Sequence, residues 1–233
     1  MGGSGRPRRN DKRDSRPRYV EEKKEWIPRT ELGKRVKGGE IKTIDELIDN
    51  GIRLTEPEIV DTLIPDIEED FLEIGQSKGK FGGGKRKIYR HTQKKVREGS
   101  RIKFAFLAVV GNRNGYVGVG YGGSRKSNSA RELSVKNAKL NLTRITRGCG
   151  SWECTCGQQH SLPFKTTGKY GSITVSLLPA PKGTGLVASN EAKKILRLAG
   201  ISDVWARMDG ETRTRVNMLR AVYMALKNIN MQR

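Results

Sequence analysis

The apolar positions of this chain change period along its length, and the changes mark out its elements. Ile44, Leu47 and Ile48 are spaced as on one face of a short helix that Gly51 stops, and Ile59, Leu63 and Ile64 predict another ended by Pro65. Three β-prone runs follow, at residues 87–96, 102–110 and 116–121. Asn112, Arg113, Asn114 and Gly115 join the second to the third, and an Asn-Gly pair between two strands is the strongest short-range hairpin signal. Ser129 and Glu132 then stand at capping-box spacing, opening a helix that presents Ala130, Leu133, Ala138 and Leu142 among Lys and Arg. Farther on come strands at 161–167 and 172–178, a turn-rich PAPKGTG run at 179–185, and a helix. That helix has Ala192, Ile195, Leu196 and Ala199 on one face and Gly200 placed to close it. A short strand at 203–208 and a helix through Val216, Leu219, Val222 and Leu226 complete the pattern.

This order predicts an α+β protein of two domains with tails. Three antiparallel strands followed by a helix make up most of a double-stranded-RNA-binding fold, and a second compact α+β unit follows it. A length of 233 residues with 34% apolar and 30% charged positions supplies cores for two small domains, not one core spanning the chain.

Charge changes the picture more than length does. The net charge is +21, an excess that repels itself unless a polyanion neutralises it, and nucleic acid is the natural counter-charge. The excess is also uneven. Residues 1–40 carry 13 Lys and Arg against 7 acids among Gly, Pro and Ser, the composition of a disordered basic arm. Residues 41–75 reverse sign, with 11 acids against Lys42 and Arg53, and read as an acidic helical segment that docks on protein, either its own basic domain or a neighbour. Residues 76–147 hold 19 Lys and Arg against Glu98 and Glu132 and form the RNA-binding-like domain. Residues 148–233 form the C-terminal α+β domain, with a cysteine-containing insertion at its start.

The candidate RNA contacts are Lys85, Arg86, Lys87, Arg90, Lys94, Lys95, Arg97, Arg101, Arg113, Arg125 and Lys126, on predicted strand edges, loops and the helix start. A solvated basic face is the alternative for each one singly. No membrane partner is expected, because the longest strongly apolar run, residues 104–110, is far short of the ~20 residues that span a bilayer. The N-terminus has no apolar stretch like that of a signal peptide, so a cytoplasmic location is expected.

Several motifs invite chemistry. Gly79, Gly84 and Lys85 match most of a Walker A loop, but Arg86 stands where Ser or Thr must hold Mg²⁺, so nucleotide hydrolysis is not expected. Gly118, Gly120 and Gly123 fit G-x-G-x-x-G, yet the sheet is antiparallel and no acid follows to hold a ribose; these glycines are expected instead to let the strand and helix entry approach an RNA backbone. His91 sits among Lys and Arg without a fixed acid, which favours RNA contact over catalysis. Cys149, Cys154, Cys156 and His160 bring all three cysteines and one of two histidines into twelve residues. Four such donors suffice for a closed structural zinc site, but the spacing is not C-x₂-C, and ordinary thiols in a Gly-rich loop are the other reading. No other cofactor, no small-molecule substrate and no catalytic residue is indicated.

The run from Gly111 through Asn112, Arg113, Asn114, Gly115, Tyr116, Val117, Gly118 and Val119 to Gly120, followed by the capped helix, resembles the signature of small-subunit ribosomal protein five, the universal S-five family. PAPKGTG at 179–185, then Ala199, Gly200, Ile201, Ser202, Asp203 and Val204, is similar to that family's C-terminal domain. The resemblance covers residues 85–230, and the basic arm, acidic segment and cysteines look like its archaeal branch. It implies a non-enzymatic structural constituent of the 30S subunit that binds 16S ribosomal RNA, touches small-subunit proteins four and eight, and contributes to assembly and translational accuracy. It also implies that the loop from Lys95 through Val96, Arg97, Glu98 and Gly99 to Ser100 reaches RNA near the head-body junction. A zinc-containing RNA-processing enzyme and a free double-stranded-RNA-binding regulator are the rival readings.

Overall fold

The computed structural model describes residues 26–76 and 86–231. Three short helices, α1 (Glu31–Lys37), α2 (Ile44–Asp49) and α3 (Pro57–Leu63), lead into a strand, β1 (Glu68–Phe71). Next come β2 (Arg90–Val96), β3 (Gly99–Gly111), β4 (Tyr116–Ser124), α4 (Ser127–Leu140) and β5 (Leu142–Arg144). The second unit consists of β6 (Thr166–Tyr170), β7 (Ile173–Pro179), β8 (Leu186–Val187), α5 (Asn190–Leu198), β9 (Val204–Asp209) and α6 (Arg215–Met231). The α+β class and the three-strands-then-helix order stand as the pattern predicts.

Two sheets organise these elements. In the first, β3 is the hub: β4 lies along one edge, while the other edge is shared by β2, paired with residues 99–105, and β1, paired with 108–111, all antiparallel. The second sheet runs β6-β7-β9-β8, with β8 parallel to β9.

Alternation along β3 and β4 assigns the two faces of the first sheet. Leu107, Val109, Val117 and Val119 point to one face, where they join Ile173, Val175, Leu177, Ile195, Leu196, Leu219 and Leu226 in a single buried cluster. The two units thus share one core, where composition predicted a separate core for each. On the opposite face Ala108 and Val110 meet Ala138 of α4.

That face corrects the expected role of the glycines. A Cβ on Gly118 or Gly120 would collide with the backbone of Ala138, and one on Gly122 with that of Ser134. Gly118, Gly120 and Gly122 therefore seat α4 against β4 rather than open a path for RNA, while Gly123 lies against the Lys103 side chain. The inward face of α4 is correspondingly small, Ala130, Ser134 and Ala138, while Leu133 is exposed and Leu142 belongs to β5. The helix also starts earlier than the capping-box spacing predicts. Lys126 is its N-cap, without a side-chain cap bond, because the close seating against β4 sets its start.

Other boundaries shift as well. Part of the expected arm is folded: Thr30 caps α1 by accepting from the Gly33 N–H, and Trp26, Leu32 and Val36 pack with Leu47, Ile59 and Val60. Residues 1–25 of that arm lie outside the described residues. Buried Glu56 holds this corner by accepting from the Trp26 indole and the backbone N–H groups of Arg29 and Thr30. The acidic segment ends in a strand, because Glu68, Glu69 and Asp70 extend along the open edge of β3. Residues 161–165 precede β6 instead of forming part of it, since Ser161 pairs with Gly148 as an isolated bridge. No helix among the described residues is long and apolar enough to cross a membrane.

Candidate nucleic-acid interface

The first half of β3 leaves the core and forms, with β2, a two-stranded ribbon exposed along nearly its whole length. The register sets Lys94 directly opposite Arg101, and Thr92 opposite Lys103. Like charges facing one another across a ladder destabilise it, so this pairing calls for an external anion. Arg97 lies exposed at the tip beside Glu98, the ribbon's one acid, where Gly99 adopts φ +126°. Lys95 projects to the other face. None of Arg90, Lys94, Lys95, Arg97, Arg101 and Lys103 forms a salt bridge among the described residues.

At its root the ribbon stands on aromatic rings. Tyr89 packs edge-on against Phe104, His91 lies 5.3 Å from the same ring, and Lys87 sits 5.7 Å above Tyr89. His91 is exposed at this root, opposite Phe104 in the register, and forms no hydrogen bond or ion pair to an acid among the described residues. Beside these rings a cleft of about 860 Å³ opens between the ribbon root and the start of α6. Arg86, Lys87, Arg90, His91, Arg213 and Arg215 line it. Burial, and then the Arg86 guanidinium, hold the Arg215 pKa below its ordinary value, so a second anion is favoured there beyond Glu191 and Glu73.

Arg125 and Lys126 are exposed at the junction of β4 and α4, next to the ribbon because Ser124 is the register partner of Phe104. With no acid in its first turn, α4 turns its free N–H groups outward among cations. Nine of the eleven expected contact residues therefore lie on the ribbon, in its cleft or at this junction. Lys85 lies outside the described residues, as do Gly79 and Gly84.

Arg113 is the exception. It follows the opposite end of β3, and its guanidinium donates twice to Glu68, at 2.7 and 3.0 Å. The Asn-Gly turn around it docks onto the second unit: the Arg113 N–H donates to the Leu198 carbonyl and that of Gly115 to the Ala199 carbonyl, at the end of α5. Arg147 adds a bond to Asn114. Arg113 itself takes φ +55°, uncommon for a residue with a side chain. The turn is a latch between units.

Sequence reasoning missed Lys103, Arg213 and Arg215. Alternation along the ribbon contains the signal for Lys103, which shares a face with Lys94. Nothing local marks Arg213 and Arg215, which reach the cleft only through the packing of α6.

The acidic segment docks on its own basic domain. Lys139 of α4 bonds Asp61 and Glu69 at 2.8 and 2.9 Å, and Asp45 accepts from the Tyr116 hydroxyl and pairs with Arg144. Burial and the Asp45 carboxylate push the Tyr116 pKa up to about 12.

Family models match both halves of this architecture: Ribosomal protein S5, N-terminal domain, at residues 88–146, and Ribosomal protein S5, C-terminal domain, at 168–232. The chain belongs to the ribosomal protein S5 family. Relatives named small ribosomal subunit protein uS5 agree along most of the length. That of Nanoarchaeum equitans is 49% identical over 88% of both chains, and that of Pyrobaculum islandicum 48% identical over 87% of this chain and 93% of its own. That of Methanocaldococcus jannaschii is 46% identical over 90% and 89%. Members of this family are structural ribosomal proteins, not enzymes.

A second cluster lies away from the ribbon. The donor atoms of Cys149, Cys154, Cys156 and His160 all fall within 4.8 Å of one another. Backbone N–H groups of Lys182 and Cys156 draw the Cys154 thiol down to about 6, whereas burial and the neighbouring sulfurs push Cys149 up to about 11. One sulfur thus carries charge readily and its neighbour resists it.

Proposed function

We infer that this chain is a non-enzymatic structural constituent of the small ribosomal subunit, in which the β2–β3 ribbon, the Arg86–Arg213–Arg215 cleft and the start of α4 hold 16S ribosomal RNA. One observation carries this reading: a ribbon with no core of its own sets Lys94 against Arg101, and no acid among the described residues pairs with either. Such a ribbon is stable in one geometry only when phosphates lie along it. Lys85, Arg86, Lys87, Arg90, Lys94, Lys95, Arg97, Arg101, Arg125 and Lys126 remain the assigned contacts, with Lys103, Arg213 and Arg215 added. Arg113 is reassigned to the latch.

The second unit turns toward neighbouring proteins, and small-subunit proteins four and eight are the neighbours assigned to it. Because both units share one core, a push on the second unit is carried to the ribbon without a hinge. Differential contacts on the two sides then bias open and closed subunit states, which links this protein to accuracy of decoding as well as to assembly. The location is the cytoplasmic ribosome.

Sedimentation of a cell extract after a high-salt wash tests the assignment. The chain is expected in small subunits and whole ribosomes at one copy each, and a chain left at the top of the gradient rejects it. Arg97→Glu is expected to slow subunit assembly or raise misreading; normal assembly with normal error rates removes the tip loop from the interface.

A further inference from the structure

The loop from Cys149 to His160 has nothing of its own to fold around. Its single large apolar side chain, Trp152, is 89% exposed, and among its residues only Ser151 and His160 are buried. The loop is nevertheless closed at its base, where the backbones of Gly148 and Ser161 exchange two hydrogen bonds of 2.9 Å and the Gly150 N–H donates to the Leu162 carbonyl. A closed loop without apolar filling needs another source of cohesion.

Its polar side chains converge instead. Cys149 Sγ and Cys156 Sγ are 3.6 Å apart, and Cys154 Sγ is 3.7 Å from His160 Nε2. A tetrahedral zinc with bonds of about 2.3 Å to sulfur and about 2.0 Å to nitrogen places its donors about 3.6–3.8 Å apart. His160 is also turned for the role. Its Nδ1 lies 2.8 Å from Asp203 Oδ2, so the carboxylate holds the Nδ1 proton and leaves the Nε2 lone pair facing the sulfurs.

Asp203 is itself fixed from several sides. Its Oδ1 accepts from the N–H groups of Gly183 and Gly185, its Oδ2 from the Ser202 hydroxyl, and its backbone carbonyl from Ser161. The Ser202 and Asp203 N–H groups both donate to the His160 carbonyl. The imidazole therefore belongs to a rigid frame spanning the loop, the 179–185 turn and the start of β9.

We propose that Cys149, Cys154, Cys156 and His160 hold one structural zinc ion, oriented through Asp203, which staples the 149–160 loop to the 179–185 turn. Three thiolates and an imidazole form a soft, closed donor set that suits zinc and leaves no open position for catalysis. This centre is independent of the RNA-binding surface, and its failure would leave that reading intact.

The full-length chain, purified under reducing conditions, is expected to carry about one zinc per chain by elemental analysis, and cobalt in its place should give the visible absorption of a tetrahedral thiolate site. Cys156→Ser removes an exposed donor outside the core, so it should keep the thermal unfolding transition while zinc falls well below one equivalent. Chelation should open the loop to cleavage after Glu153 by a glutamate-specific protease. A native chain with three titratable thiols and no zinc, or with Cys149 and Cys156 joined as a disulfide, overturns the proposal, as does full zinc occupancy in the Cys156→Ser protein.

Discussion

One strand, β3, has two halves with opposite fates. From Ala105 to Gly111 every residue is buried, with Leu107 and Val109 in the shared core and Ala108 and Val110 beneath α4. From Ser100 to Lys103 every residue is exposed, and β2 is the strand's one neighbour in the register. β4 flanks residues 104–111 and β1 flanks 108–111, whereas 100–103 pair with β2 alone. The cover changes at the same place: α4, β1 and the second unit end where the ribbon begins. The buried half holds the fold together, and the exposed half is left free to carry cations.

The sharpest way to break this comparison is to disturb the buried half. Gly120→Val should cost about 3 kcal/mol or more, because its Cβ falls on the Ala138 backbone and α4 must lift. Denaturant unfolding that matches the parent would show that the helix does not depend on the glycine stripe. Leu107→Ala comes next, with an expected loss of about 2–5 kcal/mol from a fully buried side chain facing the second unit. If the two units unfold together in this variant, the shared core is a single cooperative body.

A smaller effect is expected at Glu56. Burial opposes its charge, but donors from Thr30, Trp26 and Arg29 outweigh burial and hold its carboxyl below the ordinary value of 4.5. A folded pKa below the unfolded one gives a stabilisation that is full above the unfolded value and vanishes as pH falls through the folded value. Glu56→Gln should therefore lower stability by about 1 kcal/mol near neutral pH. The gap from the parent should close in acid, and a gap constant with pH would remove the carboxylate from this role.

The smallest effect on stability is expected in the ribbon. Lys94→Glu, set opposite Arg101, should leave the unfolding transition within about 0.5 kcal/mol or raise it slightly. Binding to a ribosomal RNA fragment should weaken, and the salt dependence should flatten by about one counterion for each phosphate that is no longer neutralised. Unaltered affinity and salt slope would move the interface off this ribbon.

Much of this was legible along the chain. Alternation and turn residues located the hairpins, 3.6-residue spacing located α5 and α6, and the charge blocks separated the acidic docking segment from the cationic domain. Lys94 and Lys95 fall in a predicted strand that the structure keeps as β2 and Arg97 in the loop at its tip, while Arg101 lies on β3, ahead of the predicted strand start at residue 102. The cysteine cluster was visible from spacing alone, but Asp203, 43 positions from His160, was not.

The sequence by itself determined the order of the longer strands and helices, the sign of the partner and the family, since each is encoded in local spacing or in block composition, whereas α1, β1, β5 and β8 came only with the structure. Tertiary structure decided which glycines are packing sites, which arginines are free and where the units join. Gly118 and Gly120 have the same spacing whether they face RNA or α4, and Arg113 is as basic as Arg101 until Glu68 on β1 is placed beside it. Arg213 and Arg215 reach Arg86 only through the packing of α6. Side-chain chemistry is local, but the partner that consumes or spares it is chosen by contacts distant along the chain.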